Sequence, residues 1–158
     1  HDAADPVGFT IGQNGSRIGI ATDLGIVTSR LKDQLKDCHL LILEANHDPG
    51  MLIDGPYPWP LKQRIKSRTG HLSNEDSNAL LTELNHDGLE CVILAHLSET
   101  NNTPQKAIHA VGPALNGSRA RLHVATQHVV SDMFCLTSPS TGPLFHGPSG
   151  IQKGAKNV

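Results

Sequence analysis

The sequence predicts an α/β fold. Short apolar runs of strand length, "RIGIAT", "LLIL" and "CVILA", alternate with amphipathic stretches of helical length, and turn or cap residues stand at the junctions. Strands that alternate with helices make the class α/β, and "VGFTI" ahead of "RIGIAT" adds a hairpin.

The hairpin comes first. "VGFTI" and "RIGIATDLG" flank "GQNGS", and Asn14-Gly15 supplies the residue types that tolerate the positive φ of a tight turn. "TSRLKDQLKDC" predicts a helix capped by Thr28 or Ser29. "HLLILEANHD" has a continuous apolar core, Leu40 to Leu43, and predicts a short buried strand. Pro49, Pro56, Pro58 and Pro60 interrupt the next segment. A loop is expected there, then a helix over "PLKQRIKSR" with Pro60 near its first turn. "SNEDSNALLTELNHDG" predicts a helix capped by Ser73 or Asn74 and closed by Gly88. "LECVILAHLS" predicts a second buried strand. In "TPQKAIHAVGPALNG", Thr103 is the expected N-cap and Pro104 the first helical residue, with Pro113 kinking or ending the helix. "ARLHVATQ" and "VVSDMFCLTS" read as the last strands. From Pro139 onward Gly, Pro and Ser dominate. One domain over residues 1–138 and a flexible tail over 139–158 are expected.

Composition narrows the function classes. With 158 residues, 37% hydrophobic, 18% charged and a net charge of −2, the chain is one ordinary globular domain. Its global charge does not point to nucleic acid, so any such binding needs a local basic patch. No apolar run approaches the roughly 20 residues of a membrane helix. The chain begins with His and runs straight into a strand, which predicts a fragment lacking an upstream part. Cys38, Cys91 and Cys135 are widely spaced and form no C-x-x-C pair. Buried free thiols in a reducing, cytoplasmic compartment are expected. The ten histidines are the compositional outlier. Ordinary surface positions are expected for His39, His47, His86, His109, His123 and His146.

Three polar residues stand just past apolar strands: Asp23 after "RIGIAT", Glu44 after "LLIL" and His96 after "CVILA". Side chains at strand ends of an α/β sheet converge on one crevice, held by rigid neighbours. Each alone reads as a cap or turn residue. Together with His1 and His71 they read as a site. Aspartate among histidines suggests divalent metal, because a carboxylate can bridge two ions while neutral imidazoles supply nitrogen ligands. Such ions activate water and stabilise a phosphoryl transition state. His-Leu-Ser occurs twice, at His71 and His96, in different surroundings, so it is not a repeat.

The segments "HDAADPVGFTI", "IGIATDLG", "LILEANHD", "GPYPWPLKQRIKSRTGHLSN" and "LAHLSETNN", in this order, resemble the later half of the metallo-β-lactamase superfamily, and within it the YycJ/WalJ-like hydrolases. The resemblance covers roughly residues 1–136. It implies the later half of an αββα sandwich, truncated at the N-terminus, with two divalent ions, Zn or Mn. It implies that His1, Asp23 and His96 are metal ligands, with Asp23 bridging. His71 is implied as the histidine that protonates the leaving oxygen, and Glu44 as the acid that orients it. The superfamily's H-x-H-x-D-H signature, which carries most of the ligands, is absent from this chain.

The run "LKQRIKSR" brings Lys62, Arg64, Lys66 and Arg68 just ahead of His71. Beside a phosphodiesterase site Arg64, Lys66 and Arg68 are candidates to grip a nucleic-acid backbone, as are Asn101 and Asn102, with Tyr57 and Trp59 as stacking residues. The expected function is two-metal hydrolysis of a phosphodiester, in DNA. The alternatives are an RNA-processing endonuclease or a small-molecule phosphodiesterase of the same superfamily, or a non-catalytic binding domain.

Overall fold

The structure, a computed structural model, describes residues 7–137. His1, His146 and the expected tail lie outside the described residues. Strands β1 (Phe9–Gln13) and β2 (Ser16–Ala21) form the hairpin, and both turn residues take positive φ, 50° at Asn14 and 82° at Gly15. The sheet continues through β3 (Leu40–Glu44), β4 (Cys91–Ala95) and β5 (Arg121–Val124) in sequence order. β1 runs antiparallel to β2, and all later pairs are parallel. The α/β class is therefore observed, as a five-stranded mixed sheet.

Helix α1 (Ser29–Leu35) connects β2 to β3, and Thr28 caps it by accepting the Leu31 N–H. Three helices connect β3 to β4: α2 (Pro49–Asp54), α3 (Trp59–Ile65) and α4 (Asn74–Leu84). α5 (Pro104–Val111), capped by Thr103, runs into a single 3-10 turn (Gly112–Leu115) with Pro113 near its start. Ser73 and Asp76 close a capping box on α4, each accepting the other's backbone N–H.

Five expectations need correction. Residues 49–54 are helical, because Asp48 accepts the Met51 N–H and Pro49 occupies the first turn, where its missing N–H costs nothing. α3 ends at Ile65, before Arg68, and α4 ends at Leu84, with Asn85 as its C-cap, before Gly88. Residues 129–137 form no strand. They lie across the sheet instead of extending its edge: Phe134 and Leu136 pack on the apolar cluster of Leu40, Cys91 and Ile93. Cys135, between them, points outward and is exposed, whereas Cys38 and Cys91 are buried free thiols.

The sheet has two different faces. On one, Ala21, Leu41, Leu43, Val92 and Leu94 pack with Leu35 of α1, Leu80, Leu81 and Leu84 of α4, and Ala107 and Val111 of α5. On the other, register aligns Ile11, Ile18, Leu40 and Cys91 in one row and Phe9, Ile20, Ile42 and Ile93 in the next. Phe9 and Ile11 remain more than half exposed there. Among the described residues no helix is long and apolar enough to cross a membrane.

The helical side carries the main core, so truncation there is expensive. Leu94, fully buried in β4, should cost roughly 2–5 kcal/mol as Leu94→Ala. Phe9→Ala, on an exposed edge position, should cost well under half of that. Urea denaturation of both variants measures the difference.

Candidate active site

β2, β3 and β4 are adjacent and parallel, and their carboxyl ends lie together. Asp23 stands two residues past β2, Glu44 is the last residue of β3, and His96 follows β4. His71 arrives from the loop between α3 and α4.

Glu44 is fully buried. Its Oε1 is 2.7 Å from His71 Nδ1 and 2.8 Å from His96 Nδ1. Its Oε2 accepts the backbone N–H of Leu24 at 2.8 Å and of Leu72 at 3.3 Å. Burial acts to raise the pKa of this carboxyl. Hydrogen bonds from His71, His96 and the Leu24 N–H outweigh it and hold the group at about 2. An ionised carboxylate only accepts, so both imidazoles donate from Nδ1 and present their Nε2 edges away from Glu44. The Glu44 hydrogen bond raises the His96 pKa, against burial and with help from the charges of Glu44 and Asp23.

Asp23 Oδ1 lies 3.7 Å from His96 Nδ1, and the His71 and His96 rings meet edge-on with centroids 5.0 Å apart. Both Asp23 (φ 60°) and His96 (φ 57°) occupy the left-handed region. For residues with a Cβ this costs on the order of 1–2 kcal/mol each. The chain reverses at both strand ends and brings the two side chains to one place.

Gly70 admits the His71 loop. The His71 N–H donates to Ile65 O at 2.9 Å, at the end of α3. A Cβ on Gly70 would lie 2.0 Å from that same oxygen, and one on Gly25 would lie 2.1 Å from Arg68 O. The loop can approach both neighbours only because these positions lack side chains.

Behind the site lies a buried amide pair that local sequence patterns did not disclose. Asn74 Nδ2 donates to Asn102 Oδ1 at 3.0 Å, and Asn102 Nδ2 donates to Asn74 Oδ1 at 2.8 Å and to Ala45 O at 2.8 Å. The pair joins the segments after His71, after His96 and after Glu44. Ser77 Oγ adds a hydrogen bond to Glu44 O, and Asn46 Nδ2 holds His96 O at 3.0 Å. The signal in the sequence was an asparagine downstream of each His-Leu-Ser, in "HLSN" and "HLSETNN".

Other expected site residues divide. Asn101 and Asn102 are corrected: both are buried, so neither offers a surface to a nucleic-acid backbone. Asn102 is committed to Asn74 and Ala45, and Asn101 gives its backbone C=O to Asp48 N–H at 2.9 Å. His47 is corrected as well. It is 2% exposed, bridged to Ser73, and burial lowers its pKa. His39 and His86 are half-buried and hydrogen-bonded, to Arg17 N–H and Cys38 O, and His123 is half-buried against Phe134. His109 is exposed, as expected. Lys62 is buried, with its Nζ donating to Ile53 O at 2.6 Å, so it ties α3 to α2. Arg64, Lys66 and Arg68 are all exposed. Arg64 and Tyr57 line a groove with His71 and His96, while Trp59 is exposed outside it.

One donor atom from each of Asp23, His71 and His96 lies within 4.8 Å of the others. A carboxylate oxygen with two imidazole nitrogens suits a divalent cation such as Zn or Mn, so the residues present fit part of a metal site. His1, the other expected ligand, is outside the described residues.

No protein-family model matches the chain. It is 37% identical to exodeoxyribonuclease YycJ of Bacillus anthracis over 115 residues, which are 73% of this chain and 44% of that protein. It is 34% identical to exodeoxyribonuclease WalJ of Streptococcus pneumoniae strain D39 over 141 residues, 89% of this chain and 50% of that protein. The chain thus spans about half the length of the curated relatives it matches.

The buried carboxylate makes stability depend on acid. Glu44 titrates near 2 in the folded chain against an ordinary 4.5. A depressed carboxyl stabilises the fold above its unfolded value, and that contribution is lost as pH falls toward its folded value. Stability should therefore decline from about pH 4.5 down toward 2, and Glu44→Gln should flatten this limb while lowering stability at neutral pH. Denaturant melts across that range measure it. Equal slopes in both proteins would assign the acid sensitivity to other carboxylates.

Proposed function

The chain belongs to the YycJ/WalJ-like family, and from that premise we propose that it carries part of the active site of a metal-dependent phosphodiesterase acting on DNA. The sheet is then one layer of a metallo-β-lactamase-type αββα sandwich. Its second face, apolar in both rows with Phe9 and Ile11 exposed, suits packing against another layer. The observation that carries the functional reading is the buried Glu44 carboxylate, which holds two imidazoles by Nδ1 beside Asp23 at three parallel strand ends.

Asp23 and His96, with His1, would hold two divalent ions. When bound, such ions supply an activated water and stabilise charge on the phosphoryl oxygens. The remaining work falls to side chains of this chain. The departing alkoxide of a phosphodiester needs a proton. His71 donates it from Nε2 while Glu44 keeps its Nδ1–H in place. His96 uses the same Nδ1–H anchor for the opposite purpose: with Nδ1 protonated, neutral Nε2 carries the lone pair that a ligand needs. Arg64, Lys66 and Arg68 supply positive charge for the phosphate backbone.

Because a bridging carboxylate contacts both ions, Asp23→Ala should lose more metal than His1→Ala or His96→Ala. Metal content after dialysis reads this directly. Wild-type stoichiometry in the Asp23 variant would remove it from the site.

A second experiment separates the histidines. In the protein carrying this chain, His71→Ala should retain metal and lose turnover by roughly 10²–10⁴-fold, about 3–5 kcal/mol. His96→Ala should lose both. The His71 defect should shrink on a nitrophenyl phosphodiester, whose leaving oxygen needs no proton. Glu44→Gln should weaken metal binding as well as turnover, because the carboxylate is shared. Loss of metal in His71→Ala would make it a ligand, an outcome its place in the donor cluster also allows.

A further inference from the structure

Lys62, Arg64, Lys66 and Arg68 are spaced by two, and on a helix residues two apart do not share a face. α3 divides the run accordingly. Leu61, Arg64 and Ile65, at spacings of three and four, line a groove of about 560 Å³ together with His71 and His96. Lys62 is buried instead, with its Nζ donating to Ile53 O. Lys66 follows Lys62 by four, as the C-cap of the helix, and Arg68 lies beyond it. Both are exposed, and neither lines the groove. Among the described residues, Arg64 is the only lysine or arginine that does.

The backbone under Arg64 is also tied to the backbone under His71. Arg64 O accepts the Ser67 N–H at 3.0 Å and the Ser67 hydroxyl at 2.7 Å. Ser67 O accepts the Gly70 N–H at 2.9 Å, and Ile65 O accepts the His71 N–H at 2.9 Å. A Cβ on Gly70 would lie 2.4 Å from Arg64 O, so the two segments are in close contact there. Glu99, a carboxylate in the same groove wall, has His128 Nε2 at 2.9 Å as its partner.

A guanidinium offers parallel N–H groups that match two oxygens of one phosphate. In phosphoryl transfer, negative charge is spread over the non-bridging oxygens of the transition state. A donor on those oxygens raises turnover, whereas a cation on other phosphates adds only affinity. Resting on the phosphodiesterase reading, we propose that Arg64 holds the scissile phosphodiester itself beside His71, while Lys66 and Arg68 meet only flanking phosphates.

The test compares a substrate that has flanking phosphates with one that has none. The protein carrying this chain is assayed as wild type, Arg64→Ala, Arg64→Lys, Lys66→Ala and Arg68→Ala. The substrates are DNA and a nitrophenyl ester of thymidine monophosphate, a diester with a single phosphate. Arg64→Ala should lower kcat roughly 10²–10³-fold on both, the usual scale for a lost transition-state donor, with metal content unchanged. Added guanidinium at millimolar concentration should restore part of that loss, which it would not do for a misfolded variant. Arg64→Lys, which keeps the charge without the fork, should fall between wild type and Arg64→Ala. Lys66→Ala and Arg68→Ala should match wild type on the single-phosphate diester. On DNA they should raise KM at unchanged kcat and each reduce the salt slope by about 1. An Arg64→Ala variant that raises only KM on DNA overturns the proposal, as does Arg64→Lys with wild-type kcat. So does a kcat loss in Lys66→Ala or Arg68→Ala equal to that of Arg64→Ala. If wild type turns over DNA alone, the split between kcat and KM on DNA decides. Failure of the wild type to cleave either substrate would overturn the phosphodiesterase reading itself.

Discussion

The site is organised around one carboxylate. Glu44 is wholly buried and accepts from His71, His96, Leu24 and Leu72. A buried charge is costly unless compensated, and here four donors from three separate segments do so. Removing any one donor leaves less compensation for a charge that cannot reach water. The Asp23 turn, the His71 loop and the β4 exit are thus coupled through a single residue at the end of a buried strand. The low pKa of Glu44 is the thermodynamic mark of that coupling.

Around this centre the backbone departs from its easy conformations. Asp23 and His96 take left-handed φ, while the other described non-glycine residues with positive φ, Asn14 and Asp37, are not among the site residues. Such conformations persist where surrounding contacts over-determine them. Here those contacts include the Leu24 N–H bond to Glu44, the Asn46 amide on His96 O and the Asn74–Asn102 pair. Gly70 and Gly25 serve the same end by subtraction, letting the His71 loop press against the end of α3. Rigid support of this kind is what a ligand or proton donor requires.

Chemistry and packing are kept on different parts of the sheet. One face is sealed by α1, α4 and α5, and the strand ends carry the polar cluster. The other face is apolar and only partly covered, by Phe134 and Leu136 near its centre.

Local rules made much of this legible. Strand-length apolar runs, the Asn14-Gly15 turn and the Thr28, Ser73 and Thr103 caps each depend on residues a few positions apart, and the α/β class followed from their alternation. Asp23, Glu44 and His96 were legible as strand-end residues, and His71 by its resemblance to a known histidine. Other features depend on partners far along the chain. Glu44 looked like the orienter of His71 alone, since nothing nearby says that His96, 52 residues later, shares its Oε1. Asn101 and Asn102 looked like surface polar residues until the fold carried them inside, and His47 and Lys62 were likewise drawn in. The physical reason is that propensity and capping act over one turn of chain. Burial and the pairing of buried polar groups are decided only when β3, β4 and the α3–α4 loop meet.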